Sequence, residues 1–433
     1  MESRRRTVSV RTLGCSKNTV DSEELMAQLD KNRLRLGHEH ERADVAIINT
    51  CGFIEAAKKE SIDSILEAVD QKKAGAVGKV VVMGCLSERY AAELRREIPE
   101  VDVFLGAGRI EDAVRAAGGE YKYELLGERM ITTPAHFAYL KISEGCDRPC
   151  SFCAIPLMRG AHRSKPVERV ILEARRLAAL GVKELILIAQ DSTYYGLDID
   201  GARTLAPLLD RLAQVDGIEW IRLLYAYPSG FPLDVLEQFA AHPKICRYID
   251  IPVQHFSDRV LASMKRGITG SGIRKLLGEI RSAVPGIALR STLITGYPAE
   301  EEEDFRELLD FVREGAFDRL GVFTYSQEEG TAAYPLGDPV PQEVKEERRD
   351  MIMDAQREVS RSRNERLVGR TLRVLIDGAG EDGAFGRSEW DAPEVDNEVV
   401  VQGGAAIPQG SFCDARIVDA DAYDLFAIPA GGP

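Results

Sequence analysis

The sequence feature that most constrains the fold is a set of three cysteines directly after a predicted buried strand. Cys146, Cys150 and Cys153 form the pattern C-x3-C-x2-C, and the apolar strand pattern at 137–142 precedes them. From this strand onward, strand and helix patterns alternate six times in about 190 residues. Six β/α units predict an open or partial (β/α)6 barrel, since a closed barrel of this kind has eight. The cysteine loop then lies on the face where such barrels carry their chemistry.

The predicted barrel elements follow one another in a regular order. Strands are predicted at 137–142, 184–190, 218–227, 248–254, 287–295 and 320–325, and helices at 167–180, 203–214, 233–241, 258–265, 271–283 and 301–314. A charged helix at about 342–367 follows a segment rich in proline and glycine.

Smaller domains are predicted on either side of this barrel. Upstream, short apolar strand patterns at 7–13, 45–48 and 80–83 alternate with helix patterns, which is typical of a parallel sheet. Downstream, β-type patches occur at 372–376, 398–401 and 413–418, between turns rich in Gly, Pro and Asp. These patches predict a small antiparallel β-barrel. The segment from about 117 to 133 is rich in glycine and charge and is interpreted as a linker.

We therefore predict an α/β protein of three domains. The N-terminal parallel α/β domain spans 6–118, the partial barrel spans 132–364, and the antiparallel β-barrel spans 366–431.

The compact cysteine set indicates an iron–sulfur cluster. Three thiolates on one tight loop can hold three irons of a cubane 4Fe–4S cluster and leave the fourth iron open to another ligand. Zinc is the main alternative, but a structural zinc site takes four ligands, and no further Cys or His lies close in sequence. A disulfide would need only two of the three thiols.

A second, dispersed set consists of Cys15, Cys51 and Cys85, each just past the end of a predicted parallel strand. Parallel strands bring their carboxyl ends to one edge of a sheet, so the three thiols are expected to converge there. The flanking Gly14, Gly52 and Gly84 permit close backbone approach. This predicts a second cluster with an open iron, with three buried apolar-type thiols as the alternative. Cys246 and Cys413 lack such a context and are interpreted as incidental.

Charge and cysteine content restrict the partners. The chain has 56 basic and 70 acidic residues, a net charge of −14, which disfavours a polyanion such as tRNA. Half of this excess, −7, falls on residues 366–433, with five arginines, no lysines and twelve acids. An acidic surface on this C-terminal segment should attract a basic protein. The alternative is that its acidic residues serve only to keep the protein soluble. Eight cysteines without an apolar export signal or a membrane-length apolar run predict a cytoplasmic protein with no membrane partner.

The C-x3-C-x2-C pattern with an aromatic at Phe152 resembles the radical S-adenosylmethionine superfamily, and the upstream cysteines narrow the resemblance to its methylthiotransferase family. The resemblance covers about residues 6 to 430 and implies an N-terminal cluster domain, a radical barrel and a C-terminal TRAM barrel. Within this family, the sequence resembles the branch that acts on an aspartate of small-subunit ribosomal protein S-twelve. The segments that carry this resemblance are 13–23, 51–57, 139–146, 155–160 and 386–394. Ser16 stands where proline is expected in many members. The other branch, which methylthiolates an adenosine of tRNA, is the alternative.

The resemblance implies two 4Fe–4S clusters, one on Cys15, Cys51 and Cys85 and one on Cys146, Cys150 and Cys153. The second would chelate S-adenosylmethionine and form the radical that removes hydrogen from the β-carbon of the substrate aspartate. The first would deliver a sulfur that another S-adenosylmethionine has methylated. An electron donor such as a flavodoxin or ferredoxin system is implied as well. An electron carrier without catalysis is disfavoured, because carriers usually saturate their irons with four cysteines.

Further contacts to S-adenosylmethionine or substrate are predicted near the cluster loop and at the ends of barrel strands. The predicted cofactor-binding residues are Phe152, Arg159, Gln190, Asp191, Thr295 and Gly296. Tyr227, Gln254, His255, Tyr325 and Ser326 lie at further strand ends, and Arg163 lies beyond the cluster loop. A structural hydrogen bond at the barrel rim is the alternative for each of them.

Overall fold

The computed structural model describes residues 5–37, 42–380 and 383–430. The predicted end of the third domain, residue 431, lies outside the described residues, and so do Glu381 and Asp382, two of the acids counted above.

The N-terminal domain is a five-stranded parallel sheet in the order β2-β1-β3-β4-β5. Its strands are β1 (Thr7–Thr12), β2 (Arg35–Leu36), β3 (Ala43–Thr50), β4 (Val77–Gly84) and β5 (Val103–Phe104). Its helices are α1 (Ser16–Lys31), α2 (Glu55–Lys73), α3 (Cys85–Glu97) and α4 (Ile110–Ala116). Strands β3 and β4 are buried over most of their length because helices cover both faces, which explains their continuous apolar sequence.

The central domain is an open six-stranded parallel sheet in the order β13-β12-β11-β10-β9-β6, with a small hairpin of β7 and β8. Its strands are β6 (Phe137–Lys141), β7 (Ser143–Glu144), β8 (Arg163–Ser164), β9 (Glu184–Ile188), β10 (Trp220–Leu223), β11 (Ile245–Asp250), β12 (Ala288–Thr295) and β13 (Arg319–Thr324). Its helices are α5 (Ile155–Arg159), α6 (Val167–Ala179), α7 (Leu197–Asp200), α8 (Leu205–Ala213), α9 (Val235–Ala241), α10 (Asp258–Ser263), α11 (Gly270–Ala283), α12 (Glu302–Arg313) and α13 (Gln342–Glu365). The six predicted strands are the six of the sheet, and the sheet follows chain order from edge to edge.

The C-terminal domain is a closed five-stranded barrel in the order β14-β15-β16-β18-β17. Its strands are β14 (Thr371–Gly380), β15 (Gly383–Arg387), β16 (Val399–Gln402), β17 (Phe412–Ala420) and β18 (Leu425–Pro429). The predicted β-barrel is confirmed, with the detail that one pairing, β16 with β18, runs parallel while the other four are antiparallel.

The C-terminal barrel and α1 cover one face of the central sheet. Leu375 and Ala392 from the C-terminal domain, and Val20 from α1, pack in one buried cluster with Tyr139 and Ile186 of the sheet. Short 3-10 turns at Tyr123–Leu125, Ser192–Tyr194 and Tyr334–Leu336 complete the described structure. Among the helices of the described residues, none combines the length and apolar character needed to cross a membrane.

The segment interpreted as a linker, about 117–133, is held by contacts to both flanking domains. Arg129 lies within it with its side chain 1% exposed, and it donates to Glu23 of α1 (Nε to Oε2, 3.0 Å) and to Glu173 of α6 (Nη1 to Oε1, 2.9 Å). The linker therefore fastens the first two domains together through a buried ion pair network.

Candidate metal centres and active site

The dispersed cysteines converge at the carboxyl edge of the N-terminal sheet. Cys15 follows β1, Cys51 follows β3, and Cys85 begins α3 after β4. Burial raises the pKa of Cys85 to about 12 and raises that of Cys51, and in both cases the charge of Cys15 raises it further. A direct geometric sign of this closeness is that a Cβ added at Gly14, the neighbour of Cys15, would lie 2.9 Å from the Sγ of Cys51. The structure thus brings together the three side chains that the sequence predicted to meet.

Two glycines permit this convergence. At Gly14, φ is +91°, and an added Cβ would lie 2.6 Å from the Cβ of Cys51. At Gly84, φ is +102°, and an added Cβ would lie 2.5 Å from the carbonyl oxygen of Thr50. Any side chain at these positions would clash as well as strain the backbone, so the close approach of the three loops depends on glycine.

The compact cysteine set lies on a loop that is fixed to the rest of the central domain. Ser151, between Cys150 and Cys153, donates its N–H to the carbonyl oxygen of Met264 (3.0 Å) and its hydroxyl to that of Ser263 (2.8 Å). The N–H of Cys146 donates to the carbonyl oxygen of Gly160 (3.0 Å), which closes the loop on itself.

Cationic and polar donors point at the sulfur atoms of this loop. Arg266 donates from Nη1 to the Sγ of Cys150 at 3.0 Å, and the hydroxyl of Tyr227 lies 3.5 Å from the same sulfur. Burial raises the pKa of Cys146 to about 11 and that of Cys153 to about 12. A buried thiolate is unfavourable alone, and a positive donor together with bound metal removes that penalty.

A single metal ion and a cubane cluster place different requirements on a cysteine set. Within the described ranges, no group of three or more His, Cys, Asp or Glu side chains is arranged to hold one metal ion. A cubane places each thiolate on a different iron, so its three thiols need not converge on one point. Both cysteine sets also receive an arginine donor at a sulfur, which suits thiolates on a cluster and is not needed by ordinary buried thiols.

Arg159 connects the two cysteine sets. It ends α5, which begins two residues after Cys153, and its Nε donates to the Sγ of Cys85 at 3.2 Å. Its other nitrogens donate to Asp21 (2.7 Å) and to Asn18, both on α1. The side chain is 2% exposed. One residue therefore reaches from the helix after the second set to a thiol of the first.

The carboxylates around Arg159 are balanced by a second cation. Lys141 of β6 contacts Asp21 and lies 2.8 Å from Glu144, whose Oε1 also accepts from the Nε2 of Gln190 (2.7 Å). Burial raises the pKa of Glu144, but Lys141 and Arg159 outweigh burial and leave it at about 2. The joint between the first two domains is therefore a buried network of paired charges.

The structure also places the other residues predicted to bind S-adenosylmethionine or substrate. Asp191 accepts from the Nε of Arg148 (2.7 Å), and the hydroxyl of Thr295 donates to the carbonyl oxygen of Lys345 (3.0 Å). Gly296 donates its N–H to Glu300, and Phe152 packs on the apolar cluster around Tyr297.

Two predicted rim residues each keep a buried polar atom that forms no hydrogen bond within the described chain. Gln190 has a buried Oε1 that accepts no hydrogen bond within the described chain. The Nε2 of His255 lies 3.3 Å from Glu300, and its Nδ1 accepts from the N–H of Ser257. Both residues therefore keep a buried polar atom without a hydrogen-bond partner in the described chain, the Oε1 of Gln190 and the Nε2 of His255.

Sequence reasoning missed an aromatic and cationic group beside the cluster loop. The guanidinium of Arg148 lies 4.0 Å from the ring centre of Tyr194 and 3.9 Å from that of Tyr227. The guanidinium of Arg266 also lies over the ring of Tyr227, 4.2 Å from its centre. Arg148 stands inside the C-x3-C-x2-C motif and Tyr227 was predicted at a strand end, but the sequence does not show that they meet each other and Tyr194 of the turn Ser192–Tyr194.

Comparison with known families accounts for all three domains. Residues 7–106 match the model of Uncharacterized protein family UPF0004, residues 140–312 match the Radical SAM superfamily, and residues 368–429 match the TRAM domain. The superfamily match implies S-adenosylmethionine and one 4Fe–4S cluster in the central domain.

Curated relatives match nearly the whole chain. The chain is 53% identical over 427 residues to the ribosomal protein uS12 methylthiotransferase RimO of Flavobacterium johnsoniae, covering 98% of each chain. The protein of the same name from Chloroherpeton thalassium is 53% identical, covering 98% of this chain and 99% of its own. This chain belongs to the RimO methylthiotransferase family.

Solved structures related to the RimO-family chain share its fold at low identity. The radical S-adenosylmethionine methyltransferase TsrM from Kitasatospora setae, solved with cobalamin and a 4Fe–4S cluster, has a TM-score of 0.56 and 15% identity, covering 76% of this chain and 77% of its own. The cobalamin-dependent S-adenosylmethionine radical enzyme OxsB, solved with aqua-cobalamin and S-adenosylmethionine bound, has a TM-score of 0.51 and 13% identity, covering 81% and 56%.

In this RimO-family chain, the segment 386–394, which is the end of β15 and the loop after it, contacts the central domain. Arg387 pairs with Glu184 of β9 (2.7 Å), Asp391 pairs with Arg319 of β13 (2.7 Å), and Trp390 packs against the covered face of the sheet. This segment therefore attaches the TRAM barrel to the central domain.

Several acidic residues of the TRAM domain form ion pairs or hydrogen bonds with residues outside it. Besides Asp391, Asp396 accepts from Tyr248 (2.6 Å), Glu389 pairs with Arg247 (2.6 Å), and Asp377 pairs with His136 (2.7 Å). The net charge of −7 therefore overstates the acidity of the free TRAM surface, and the charge argument for a basic protein partner carries less weight than the family relationship.

Proposed function

We propose that this chain methylthiolates the β-carbon of an aspartate in ribosomal protein uS12. The full-length relatives named for that activity support the substrate. The observation that carries the chemistry is the bond from Arg159 to Cys85, because it brings the helix after the second cysteine set against a thiol of the first. Two three-thiol sites that lie so near each other suit a reaction in which one site makes a radical and the other supplies sulfur.

Two 4Fe–4S clusters would be held by the six cysteines. Cys15, Cys51 and Cys85 would hold one, and Cys146, Cys150 and Cys153 would hold the other and leave an iron open to S-adenosylmethionine. When bound, these groups supply the radical that opens the β C–H bond and the methylated sulfur that replaces the hydrogen.

The chain's own residues hold and shield these groups. Arg159 and Arg266 would donate hydrogen bonds to cluster thiolates, at Cys85 and Cys150 respectively. Ser151 fixes the loop that carries the second cysteine set. Gln190, with its unsatisfied Oε1, is the best placed of the predicted residues to contact S-adenosylmethionine or substrate. Phe152, Asp191, Thr295 and Gly296 would shape that pocket through the contacts described above, while the TRAM barrel covers the sheet and excludes water from it.

The remaining partners follow from the chemistry and from composition. A low-potential donor such as a flavodoxin or ferredoxin system would supply electrons in the cytoplasm, where thiols stay reduced. The net charge of −14 supports the proposal that tRNA is not the substrate.

The decisive experiment offers both substrates to one enzyme. The reconstituted protein is incubated with reductant, sulfide, S-adenosylmethionine, purified uS12 and tRNA, and both products are examined by mass spectrometry. We expect the mass gain of one methylthio group on an aspartate of uS12 and none on tRNA. The gain on tRNA alone would overturn the proposed substrate. The Cys51→Ser variant is the matched control and should give no gain on either.

A further inference from the structure

Lys17 is a buried cation that lacks an anionic partner. Its residue exposure is 7%, and its ammonium lies 3.0 Å from the ring centre of Tyr225. Within residues 5–37, 42–380 and 383–430, no carboxylate pairs with it and no acceptor takes a hydrogen bond from it. A buried ammonium without a counter-charge is costly, and an aromatic face offsets only part of that cost. Such a group is typical of a site that receives an anion.

The backbone around Lys17 favours an anion as well. Lys17 is the second residue of α1, and no acidic residue lies in the first turn of that helix. Neither the N–H of Ser16 nor that of Lys17 donates to any atom in the described part of the chain, and the buried hydroxyl of Ser16 also lacks a partner. A free helix N-terminus, an unpaired ammonium and an unsatisfied hydroxyl therefore lie within two residues of Cys15.

A cavity of about 230 Å³ opens beside this group. Cys15, Ser16 and Tyr225 line it, together with Tyr139 of the central sheet and the TRAM segment 393–395. Tyr225 is fixed at the end of β10, because its N–H donates to Asp250 (3.2 Å) and its carbonyl accepts from Ser192 (3.0 Å). The ring below Lys17 is thus a rigid platform.

The acids that line the cavity already have partners. Asp250 pairs with Arg290 (3.0 Å), and Glu394 accepts from the hydroxyl of Tyr139 (3.3 Å). Neither one neutralises Lys17. The ammonium of Lys17 therefore keeps no counter-charge in the described chain, and the Tyr225 ring that it contacts lines the cavity.

We propose that Lys17, supported by Tyr225 and the first amides of α1, binds the side-chain carboxylate of the substrate aspartate. This inference rests on the proposed function. The carboxyl carbon of aspartate is bonded directly to the β-carbon, so fixing the carboxylate beside Cys15 places the β-carbon next to the thiol set that supplies sulfur. Lys17 is then a substrate-binding residue that selects an acidic side chain.

The test compares two peptides of uS12, one with the target aspartate and one with asparagine in its place. Binding to the reconstituted enzyme is measured by competition against a fluorescent aspartate peptide, and KM and kcat are measured for the aspartate peptide. The unsubstituted enzyme should bind the aspartate peptide at least about tenfold more tightly, as expected for a charge-assisted contact. Equal affinity for the two peptides would overturn the proposal without recourse to any variant.

Variants then assign the preference to Lys17. Lys17→Met should raise KM for the aspartate peptide by about tenfold to a hundredfold and abolish the preference over asparagine. Lys17→Arg should restore part of it. Lys31→Met, at the exposed end of the same helix, is the matched control and should behave as the unsubstituted enzyme.

The outcomes separate this inference from the proposed function. If the unsubstituted enzyme fails to modify uS12 or its peptide, the proposed function itself is wrong. If it modifies them and Lys17→Met keeps the aspartate preference, only the role of Lys17 is refuted. A changed cluster potential in Lys17→Met, with the preference intact, would instead assign Lys17 to balancing the charge of the cluster.

Discussion

Replacing Arg159 by methionine tests whether a buried charge network holds the N-terminal domain against the barrel. The substitution keeps most of the volume and removes the positive charge that contacts Asp21, Asn18 and Cys85. Breaking a buried ion pair by removing one partner costs about 3–5 kcal/mol. Lys141 still contacts both Asp21 and Glu144, so the lower end, about 3 kcal/mol, is expected.

Hydrogen exchange followed by mass spectrometry measures this loss where it occurs. A loss of about 3 kcal/mol in opening free energy accelerates amide exchange in α1 and α5 by about a hundredfold. Peptides from β14 to β18 should exchange as before, since the TRAM barrel lies outside this network. Arg163→Met, which removes an exposed arginine near the same loop, is the control. Unchanged exchange in α1 of the Arg159 variant would refute the view that these charges join the domains.

Three further outcomes follow from the structure. Gly84→Ala places a Cβ 2.5 Å from the Thr50 carbonyl, so reconstituted protein should lose the first cluster and about half of its iron, and full iron content would contradict the packing argument. Arg129→Met leaves Glu23 buried without its cation and should cost about 3–5 kcal/mol in urea unfolding of the first two domains; an unchanged midpoint would show that the segment is a simple linker. Because the pKa of Glu144 is about 2 in the fold and 4.5 as the reference value, its carboxylate stabilises the protein fully above pH 4.5 and progressively less below it; the difference in Tm between the unsubstituted chain and Glu144→Gln should therefore narrow as pH falls from 4.5 toward 2, and a constant difference would contradict that assignment.

The convergence of the dispersed cysteines could be predicted because it follows from local rules. Cys15, Cys51 and Cys85 stand at the ends of apolar strands, and parallel strands of one sheet end at one edge. The glycines before Cys15 and Cys85 added a signal for close approach that the geometry explains. The six-unit barrel was visible for a similar reason, since alternating strand and helix patterns need no knowledge of distant contacts.

The contacts between domains could not be predicted in the same way. Arg129 stands in a segment rich in glycine and charge, while its partners Glu23 and Glu173 lie 106 and 44 residues away in sequence. Lys17 and Arg266 likewise acquire their surroundings only when separate domains or loops pack together. A sum of charges over the TRAM segment could not show that Asp391 and Asp396 are buried against barrel arginines.

Two strands of the TRAM barrel also lacked a clear sequence signal. The strand Gly383–Arg387 contains two glycines, and an added Cβ at Gly386 would lie 2.2 Å from the carbonyl oxygen of Leu375. Glycine there serves close packing between strands, yet in a sequence it is typical of a turn. The strand Leu425–Pro429 is short and ends in proline, which conceals its pairing with two neighbours.

Counting iron in the intact and substituted protein tests the central claim, that one chain holds two clusters on two separate cysteine sets. The anaerobically reconstituted protein should bind about eight irons, with Mössbauer spectra of 4Fe–4S clusters. Substituting Cys15, Cys51 and Cys85 together by serine should leave about four irons and a cluster that still responds spectroscopically to S-adenosylmethionine. Unchanged iron in this triple variant would contradict the account.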